Sequence, residues 1–386
     1  MTAAPPERSV VTHPRFAYNA LLLRKAYSGV ENTIHGFLQA WAAYGPEPLR
    51  VYAPRRTPLP LPRGAALDAR PVRFPRSSRA ARIAWEQLWL PRRLRRDGAA
   101  LLHAPAYIAP LAAPCRVVLT LHDLHVFTHP ATCSFENRLY YRLFLPRSVS
   151  RAAAVIVFSE HVRRTVAARF PAAAARIAVI PPGVDPGLAP VADPARLEQV
   201  RTAWRLPPRF LLFVGDLAPR KNLPRLLEAF ARVAAAVPGL HLVLAGLPAA
   251  GRRRLPLDRL CARLGLAARV RSLGYVPRAD LPALYTLAEA LAYPSLDEGF
   301  GLPALEALAC GCPVVCGPGG AAEICGPAAV RCDPLDTAAI AAALHRQITA
   351  AEPRAVRAAA GSARLARYSW RAHVAAAADL YRAVLG

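Results

Sequence analysis

The sequence predicts an α/β protein built from two doubly wound domains with parallel sheets, and three observations support this fold class. The chain has 386 residues, more than a single hydrophobic core normally organises, so two domains are expected. Apolar segments of strand length alternate with helical patterns through most of the chain. A segment rich in Pro and Gly, beginning at Pro181-Pro182-Gly183, separates the two halves.

The second half of the chain gives the clearest alternation. Strands are predicted over Phe210–Gly215, His241–Gly246, Arg269–Val276, Ala290–Ser295 and Pro313–Cys316. Helices are predicted behind Asn222, near Leu257–Leu264, from Asp280 and from Pro303. Asn222 is interpreted as an N-cap, with Pro224 tolerated in the first turn.

The first half repeats the scheme. Strands are predicted near Phe16–Leu23, Leu49–Tyr52, Ala100–His103, Arg116–His122, Ala153–Ser159 and Ile177–Pro181. We therefore expect a first domain over residues 1–182, a linker over 183–205, a second domain over 206–365 and a C-terminal helix over 366–386 that packs back on the first domain. The carboxyl ends of the strands are expected to face a cleft between the domains.

Composition excludes several classes of protein. With 19% charged and 8% aromatic residues the chain is ordinary for a globular protein, which excludes disorder and collagen. The first ten residues lack the apolar run of a signal peptide, and no segment reaches the roughly 18 apolar residues of a membrane span, so we expect a cytoplasmic location. Eight cysteines without zinc spacing are expected to be reduced, mostly buried thiols.

The net charge of +25 is concentrated in the first half, where residues 51–100 hold twelve Arg against three acidic residues. Such charge implies an anionic partner surface. Residues 80–96 set Trp85, Leu88 and Trp89 at helical spacing among arginines. This helix either lies on an anionic membrane surface or buries its tryptophans beneath a solvated basic face, and both alternatives stay open.

One segment, AYPSLDEGFGLPALEALACGCPVV, carries several chemical signals. Gly299 and Gly301 allow a ligand to approach the backbone, and the free N–H groups near Leu302 favour an anion. Carboxylates such as Glu298 and Glu306 are suited to vicinal hydroxyls, because each oxygen accepts a hydrogen bond. Taken singly, Glu306 is more often a helix-start carboxylate and Glu298 a solvated loop charge, and only their combination in one segment is specific.

A second motif joins a strand to a helix and runs from Gly215 to Arg220, Lys221 and Asn222. Fixed cations at such a turn stabilise the charge that develops on a leaving diphosphate. The alternative is a basic helix start in a basic protein, but Lys221 is one of only two lysines. We expect Lys221→Ala to reduce turnover and leave folding intact, because the site is expected to face solvent.

Two further candidates lie in the first half. His122 ends a predicted strand within Thr120–Leu124, where a lone histidine is more often a structural hydrogen bonder. The turn at residues 28–31 contains Gly29 between the first strand and a helical pattern, and Lys25 lies nearby.

Together these motifs resemble glycosyltransferase family 4, whose members are retaining enzymes with the GT-B fold of two Rossmann-like domains. The family motif E-G-F-G-L-P-x-L-E-A matches residues 298–307 without a departure. Residues 215–222 resemble the family's G-x-x-x-x-R-K-N element and residues 120–123 its T-x-H-D segment, whereas the turn at Gly29 has one glycine in place of a pair. Residues 84–105 resemble a branch with mannosyltransferases of bacterial surface polysaccharides.

The resemblance implies a nucleotide-sugar-dependent hexosyltransferase with its acceptor in the first domain and its donor in the second. It assigns catalytic roles to four residues: His122, Glu298, Arg220 and Lys221. It assigns donor binding to Gly29, Gly215, Arg220, Lys221, Glu298, Gly299, Phe300, Gly301, Leu302 and Glu306.

The resemblance also implies mannose as the sugar, a glycan or lipid-linked acceptor, and peripheral association with the inner face of the cell membrane. No metal or other cofactor is expected, because the sequence contains no Asp-x-Asp of the kind that holds a sugar diphosphate through Mg²⁺ or Mn²⁺. No specific nucleic acid is expected. The alternatives are another GT-B enzyme such as a nucleotide-sugar epimerase, which should carry extra carboxylates and histidines around the sugar, and a non-enzymatic polyanion-binding protein supported by charge alone.

Overall fold

The computed structural model describes residues 15–23, 29–55, 57, 66–74, 78–185, 187–246, 255–350 and 354–386. The chain divides into two compact units. Unit 1 contains the described residues up to 120 together with 147–155 and 374–386, and unit 2 contains 121–146 and 156–373. The described strands form one sheet of seven and one of six strands, so the predicted α/β fold class is confirmed.

The seven-stranded sheet has the order β3-β2-β1-β4-β5-β6-β7. Its strands are β1 (Phe16–Asn19), β2 (Leu49–Pro54), β3 (Leu67–Val72), β4 (Leu101–Ala104), β5 (Arg116–Leu121), β6 (Ala154–Val157) and β7 (Ile177–Val179). Six of these strands were predicted. The edge strand β3 was missed because its sequence, LDARPV, is polar and contains Pro, which an edge strand tolerates.

The six-stranded sheet has the order β10-β9-β8-β11-β12-β13, and its strands are parallel. They are β8 (Arg209–Val214), β9 (Leu240–Ala245), β10 (Val270–Gly274), β11 (Ala290–Tyr293), β12 (Val314–Cys316) and β13 (Ala329–Arg331). The first five were predicted. The missed strand β13 is again an edge strand, and its three residues are too short for a readable pattern.

Helices connect the strands of both sheets. Up to residue 170 they are α1 (Gly29–Tyr44), α2 (Arg79–Ala84), α3 (Leu90–Arg96), α4 (His125–Thr128), α5 (Phe135–Arg151) and α6 (Glu160–Arg169). The later helices are α7 (Pro194–Ala203), α8 (Leu223–Ala236), α9 (Leu257–Arg263), α10 (Leu281–Leu287), α11 (Leu302–Ala309), α12 (Gly320–Cys325), α13 (Thr337–Thr349), α14 (Arg354–Leu365) and α15 (Trp370–Leu385).

Helix α8 illustrates how the apolar pattern produces the core. Its stripe of Leu226, Leu227, Phe230 and Val233 is buried against the six-stranded sheet, as the helical spacing predicts. Asn222 precedes the helix but does not cap it through its side chain, which corrects the prediction. Its φ of 60° is left-handed, and Asn222 Nδ2 instead donates to two backbone carbonyls of loops that follow β11 and β13.

The basic segment is helical from residue 79 to 96, with a π-helical turn (Trp85–Trp89) between α2 and α3. Trp85 packs against a core cluster of unit 1, whereas Leu88 and Trp89 are 53% and 50% exposed. The expected burial of both tryptophans therefore holds for Trp85 and not for Trp89, and the membrane alternative stays a prediction. None of the helices in the described ranges has the length and apolar character needed to cross a bilayer.

The predicted domain boundaries stay a prediction, but two features bear on them. The range expected to be a linker contains helix α7. The end of α15 belongs to unit 1, where Tyr381 stacks on Trp41 at 5.6 Å and contacts the Phe16 ring edge-on at 5.2 Å. All eight cysteines are free thiols, and five of them are buried.

Candidate active site

The loop between β11 and α11 carries the central motif, and its glycines have a packing reason. At Gly299 a Cβ atom would lie 1.8 Å from the backbone oxygen of His122. At Gly301, whose φ is 92°, a Cβ atom would lie 2.7 Å from the Ala321 side chain. The chain itself therefore occupies the position of a Cβ atom at both residues, which is why glycine is needed there.

Arg220, Lys221 and Glu298 form a buried ion cluster in unit 2. Lys221 Nζ donates to Glu298 Oε1 at 2.7 Å, and Arg220 Nη1 donates to the same oxygen at 3.1 Å. Lys221 Nζ also donates to the hydroxyl of Tyr293 and lies 4.5 Å from the centre of that ring. Three of the predicted catalytic residues are thus in direct contact, although Glu298 lies 77 positions from Lys221 in sequence.

Burial determines the electrostatics of this cluster. Lys221 is only 4% exposed, so the expectation that it faces solvent is wrong. Burial raises the pKa of Glu298, but the positive charges of Lys221 and Arg220 outweigh it and lower the pKa to about 2. Burial and Arg220 lower the pKa of Lys221, against the opposing effect of Glu298. Because Glu298 is by far the stronger acid, the proton stays on Lys221 and the pair is ionic.

Glu306 has separate partners. It lies in α11 and is 8% exposed, and its Oε2 accepts a hydrogen bond from the buried Tyr285 hydroxyl at 3.0 Å. Arg278 Nη1 lies 3.8 Å from Glu306 Oε1, and Arg278 also pairs with Asp185. Burial raises the pKa of Glu306, and Arg278 and Tyr285 oppose this shift only in part.

Three successive backbone carbonyls of the loop each accept a hydrogen bond from a different element. His125 Nε2 is 3.0 Å from the Asp297 oxygen. The Gly320 N–H donates to the Glu298 oxygen at 2.6 Å, and the Ser159 hydroxyl donates to the Gly299 oxygen. The backbone around Glu298 is therefore held by α4, by α12 and by the N-cap of α6.

The side chain of Asp297 extends this network. His161 Nε2 lies 2.8 Å from Asp297 Oδ1, and His129 Nδ1 lies 4.0 Å from Asp297 Oδ2. His161 is positioned in turn by Glu323, whose two carboxylate oxygens accept the backbone N–H groups of Glu160 and His161, each at 2.8 Å. Glu323 thus satisfies the free amides at the start of α6.

The remaining predicted site residues occupy different surroundings. His122 is half-buried, and its ring contacts Phe158 edge-on at 4.9 Å. Phe300 is buried between Phe158 and Tyr368, so only its backbone is available to a ligand. Leu302 begins α11 and is half-buried.

Two predicted glycines and one lysine remain. Gly215 follows β8 with a φ of 145°, and a Cβ atom there would lie 3.5 Å from Lys221 Cε. Gly29 belongs to unit 1, where it is the first residue of α1 and its oxygen accepts the Thr33 hydroxyl. Lys25 and Ser28 lie outside the described residues.

The sequence did not identify several residues that contact this site, and these are His125, Ser159, His161, Arg278, Tyr285, Tyr293 and Asp297. The sequence pattern predicts both tyrosines only as core residues, because Tyr285 continues an apolar helical pattern and Tyr293 an apolar strand pattern. The spacing of His122, His125 and His129 after a strand was the available signal for the histidines. In the ranges that the structure describes, no group of three or more His, Cys, Asp or Glu side chains has the arrangement of a metal site.

Comparison with known proteins places this geometry in a family. Residues 27–188 match Glycosyltransferase Family 4, and residues 196–363 match Glycosyl transferases group 1. The O-antigen chain mannosyltransferase B of Escherichia coli is 32% identical over 276 residues, which cover 70% of this chain and 71% of that protein.

Solved structures agree on the fold. The crystal structure of Anabaena Alr3699/HepE in complex with UDP-glucose superposes with a TM-score of 0.74 and 21% sequence identity. The superposition covers 95% of this chain and 99% of that chain. WaaG, a glycosyltransferase involved in lipopolysaccharide biosynthesis, has a TM-score of 0.73 and 20% identity, and covers 94% of this chain and 99% of its own. Both halves of the chain match the same family and the relative spans most of its length, so the chain belongs to glycosyltransferase family 4 and is a nucleotide-sugar-dependent glycosyltransferase with the GT-B fold.

Proposed function

We propose that the enzyme transfers mannose, with retention at the anomeric carbon, from a nucleotide-sugar donor to a hydroxyl of a glycan or glycolipid acceptor in surface polysaccharide synthesis. The observation that carries the reaction type is the buried contact of Arg220 and Lys221 with Glu298. The choice of mannose and of a surface polysaccharide is supported by the similarity to the O-antigen chain mannosyltransferase.

The two cations are suited to the leaving nucleoside diphosphate. The side chain of Arg220 is 27% exposed, and its Nη1 donates to Glu298. A guanidinium has five N–H donors, so others remain to bind a diphosphate. Charge grows on the diphosphate as the glycosidic bond breaks, and cations fixed by buried partners stabilise that charge without reorganisation. We assign diphosphate binding to Arg220 and Lys221.

Glu298 is unsuited to act as a base or a nucleophile. Its pKa of about 2 and its contacts with two cations leave its oxygens with little basicity. This supports a role in holding hydroxyls of the donor sugar. It also supports attack of the acceptor hydroxyl from the face that the nucleotide leaves, with the departing diphosphate as the base.

We also propose that no metal ion is required. The support is the lack of Asp-x-Asp in the sequence together with the two cations that can balance a diphosphate without Mg²⁺. Glu306, buried beside Tyr285, is assigned to the hydroxyls of the nucleotide ribose.

A peripheral contact with anionic membrane is proposed for the basic helix. Leu88 and Trp89 are about half exposed, and four exposed arginines follow on α3: Arg92, Arg93, Arg95 and Arg96. Independently of that helix, α5 in unit 2 carries an exposed apolar stripe at helical spacing, formed by Phe135, Leu139 and Leu143, which are 66%, 50% and 47% exposed. Apolar side chains interleaved with arginine are typical of helices that lie on anionic lipid.

The experiment that tests the function is a screen of nucleotide sugars for thermal stabilisation, followed by transfer to a glycan acceptor. A ligand at about 100 times its Kd stabilises the fold by roughly 2.7 kcal/mol, which a melting curve resolves. A nucleotide-linked mannose is expected to stabilise most, and NMR of the product is expected to show the anomeric configuration of the donor. Stabilisation by no nucleotide sugar contradicts the proposal, and release of an epimerised sugar supports the epimerase alternative.

A further inference from the structure

The imidazole of His125 lies between two acceptor atoms beside the Glu298 loop. His125 Nδ1 is 2.9 Å from Asp123 Oδ1, and His125 Nε2 is 3.0 Å from the backbone oxygen of Asp297. A carboxylate and a carbonyl oxygen accept hydrogen bonds and do not donate them. A neutral imidazole has one N–H, so only the doubly protonated ring satisfies both contacts.

The charged groups around His125 favour that protonated state. Burial lowers the pKa of His125 and Arg220 lowers it further, but Asp123 and Glu298 outweigh them, so the pKa is raised. The Asp297 carboxylate adds a negative charge 3.9 Å from Nε2. The other titratable ring on this side belongs to His129, whose centre is 6.3 Å away. His161, on α6, is paired with the far oxygen of Asp297.

We propose that His125, in its imidazolium form, is a positioning residue that holds the Asp297 carbonyl and thereby fixes the backbone from which Glu298 reaches Lys221 and Arg220. Asp123 is the group that keeps the second proton on the ring. This deepens the proposed function, because it rests on the role of Glu298 at the donor sugar.

Two further donors also hold the Glu298 loop, but they differ from His125 in their dependence on pH. The Gly320 N–H and the Ser159 hydroxyl hold the next two carbonyls, and neither donor titrates in the accessible pH range. Of the three carbonyl contacts, only the one at Asp297 therefore depends on pH. A raised pKa means that this contact is complete below the ordinary His value of about 6.5 and is lost as the pH rises through the raised value.

The first test is a pH profile of kcat for three variants. The glutamine in His125→Gln is uncharged and carries both of its N–H donors on one nitrogen, so it does not reproduce donation from two separate ring nitrogens. We expect kcat at pH 6.5 to fall about ten- to a hundredfold, the range of a charge-assisted hydrogen bond. Asp123→Asn removes the charge that raises the pKa of His125, so the basic limb of the wild-type profile should move to lower pH. His345→Gln is the control, because His345 is an exposed histidine of α13 outside this network, and it should leave the profile unchanged.

The second test does not depend on turnover. In ¹⁵N-histidine NMR of the wild-type chain at pH 7, the His125 signal is identified as the one missing from the spectrum of His125→Gln. This imidazole should carry protons on both nitrogens. In Asp123→Asn it should lose one of these protons at a lower pH than in the wild type. A neutral His125 at pH 7, or a wild-type profile retained in His125→Gln, overturns the proposal. If wild type transfers no sugar from any nucleotide donor, the proposed function fails, whereas the NMR result still decides the protonation of His125.

Discussion

Removal of the Lys221 ammonium should affect turnover and stability separately, and the structure gives the size of both effects. Lys221 is 4% exposed, and its Nζ donates to Glu298 and to Tyr293. Breaking a buried ion pair from one side costs about 3–5 kcal/mol, because the other charge stays buried. Arg220 still contacts Glu298 at 3.1 Å, so we expect Lys221→Met to lose about 3 kcal/mol, at the lower end of that range.

The same substitution should reduce kcat by about 10²–10³, the loss seen when one electrostatic donor is removed from a preorganised site. Lys221→Met keeps the length of the stem and isolates the charge, whereas Lys221→Ala also creates a cavity beside Gly215. Lys221→Arg should lie between these variants and wild type, since a guanidinium is larger than the ammonium and position 221 is buried.

The assay is kcat with a nucleotide-sugar donor alongside the free energy of unfolding for each variant. The double variant Lys221→Met/Glu298→Gln provides the control, because it removes both charges. It should recover stability relative to Lys221→Met and recover no activity. Full kcat in Lys221→Ala would refute the diphosphate role, and a double variant as unstable as Lys221→Met would refute the buried ion pair.

Four other predictions address the remaining roles. Glu306→Ala should raise the KM for the donor about ten- to a hundredfold, because the ribose hydrogen bonds are lost. Glu298→Gln should lower kcat, whereas calorimetry should show nucleoside diphosphate binding at least as tightly, because the two cations are released from the carboxylate. Wild-type values in both variants would contradict the assignments. Turnover should persist in EDTA, and complete loss restored by Mn²⁺ would overturn the metal-free proposal. Co-sedimentation with anionic vesicles should weaken when the α3 arginines become Gln or when Leu139 becomes Gln. It should not change in the control Leu335→Gln, which replaces another exposed leucine. Equal vesicle binding in all variants would count against the membrane contact. The arginines replaced in that experiment are Arg92, Arg93, Arg95 and Arg96.

Most of the fold could be predicted from the sequence, because the central strands and α8 have to be apolar on the faces that they bury. Phe210 and Phe213 are fully buried, and so is the stripe of α8. The pattern fails at β3 and β13, which lie at sheet edges and need little apolar surface. It also fails at Asn222, whose residue type suits an N-cap but whose left-handed backbone directs the side chain to other carbonyls.

The candidate site was predictable as a set of residue types and not as an arrangement. The motifs identified Arg220, Lys221 and Glu298, but neither their spacing nor their charge indicates that the three meet at one carboxylate oxygen. The burial of Lys221 follows from Tyr293 and Gly215, which surround it in three dimensions. The contribution of His125 was invisible for a related reason, since a histidine reveals its protonation only through the atoms that face its two nitrogens.

If Arg220 and Lys221 bind the donor diphosphate as proposed, their contacts with Glu298 imply how charge is balanced during transfer. Glu298 neutralises part of the charge on both cations, so a diphosphate would not meet two free cations. It would share them with a carboxylate whose pKa of about 2 keeps it ionised throughout the physiological range. We therefore expect Glu298 to weaken diphosphate binding in the ground state. As charge grows on the leaving group, the cations interact more strongly with it, and this increase, unlike uniform binding, lowers the barrier to transfer. On the same proposal, Glu298 would strengthen its contact with the sugar hydroxyls at the moment when the sugar becomes cationic.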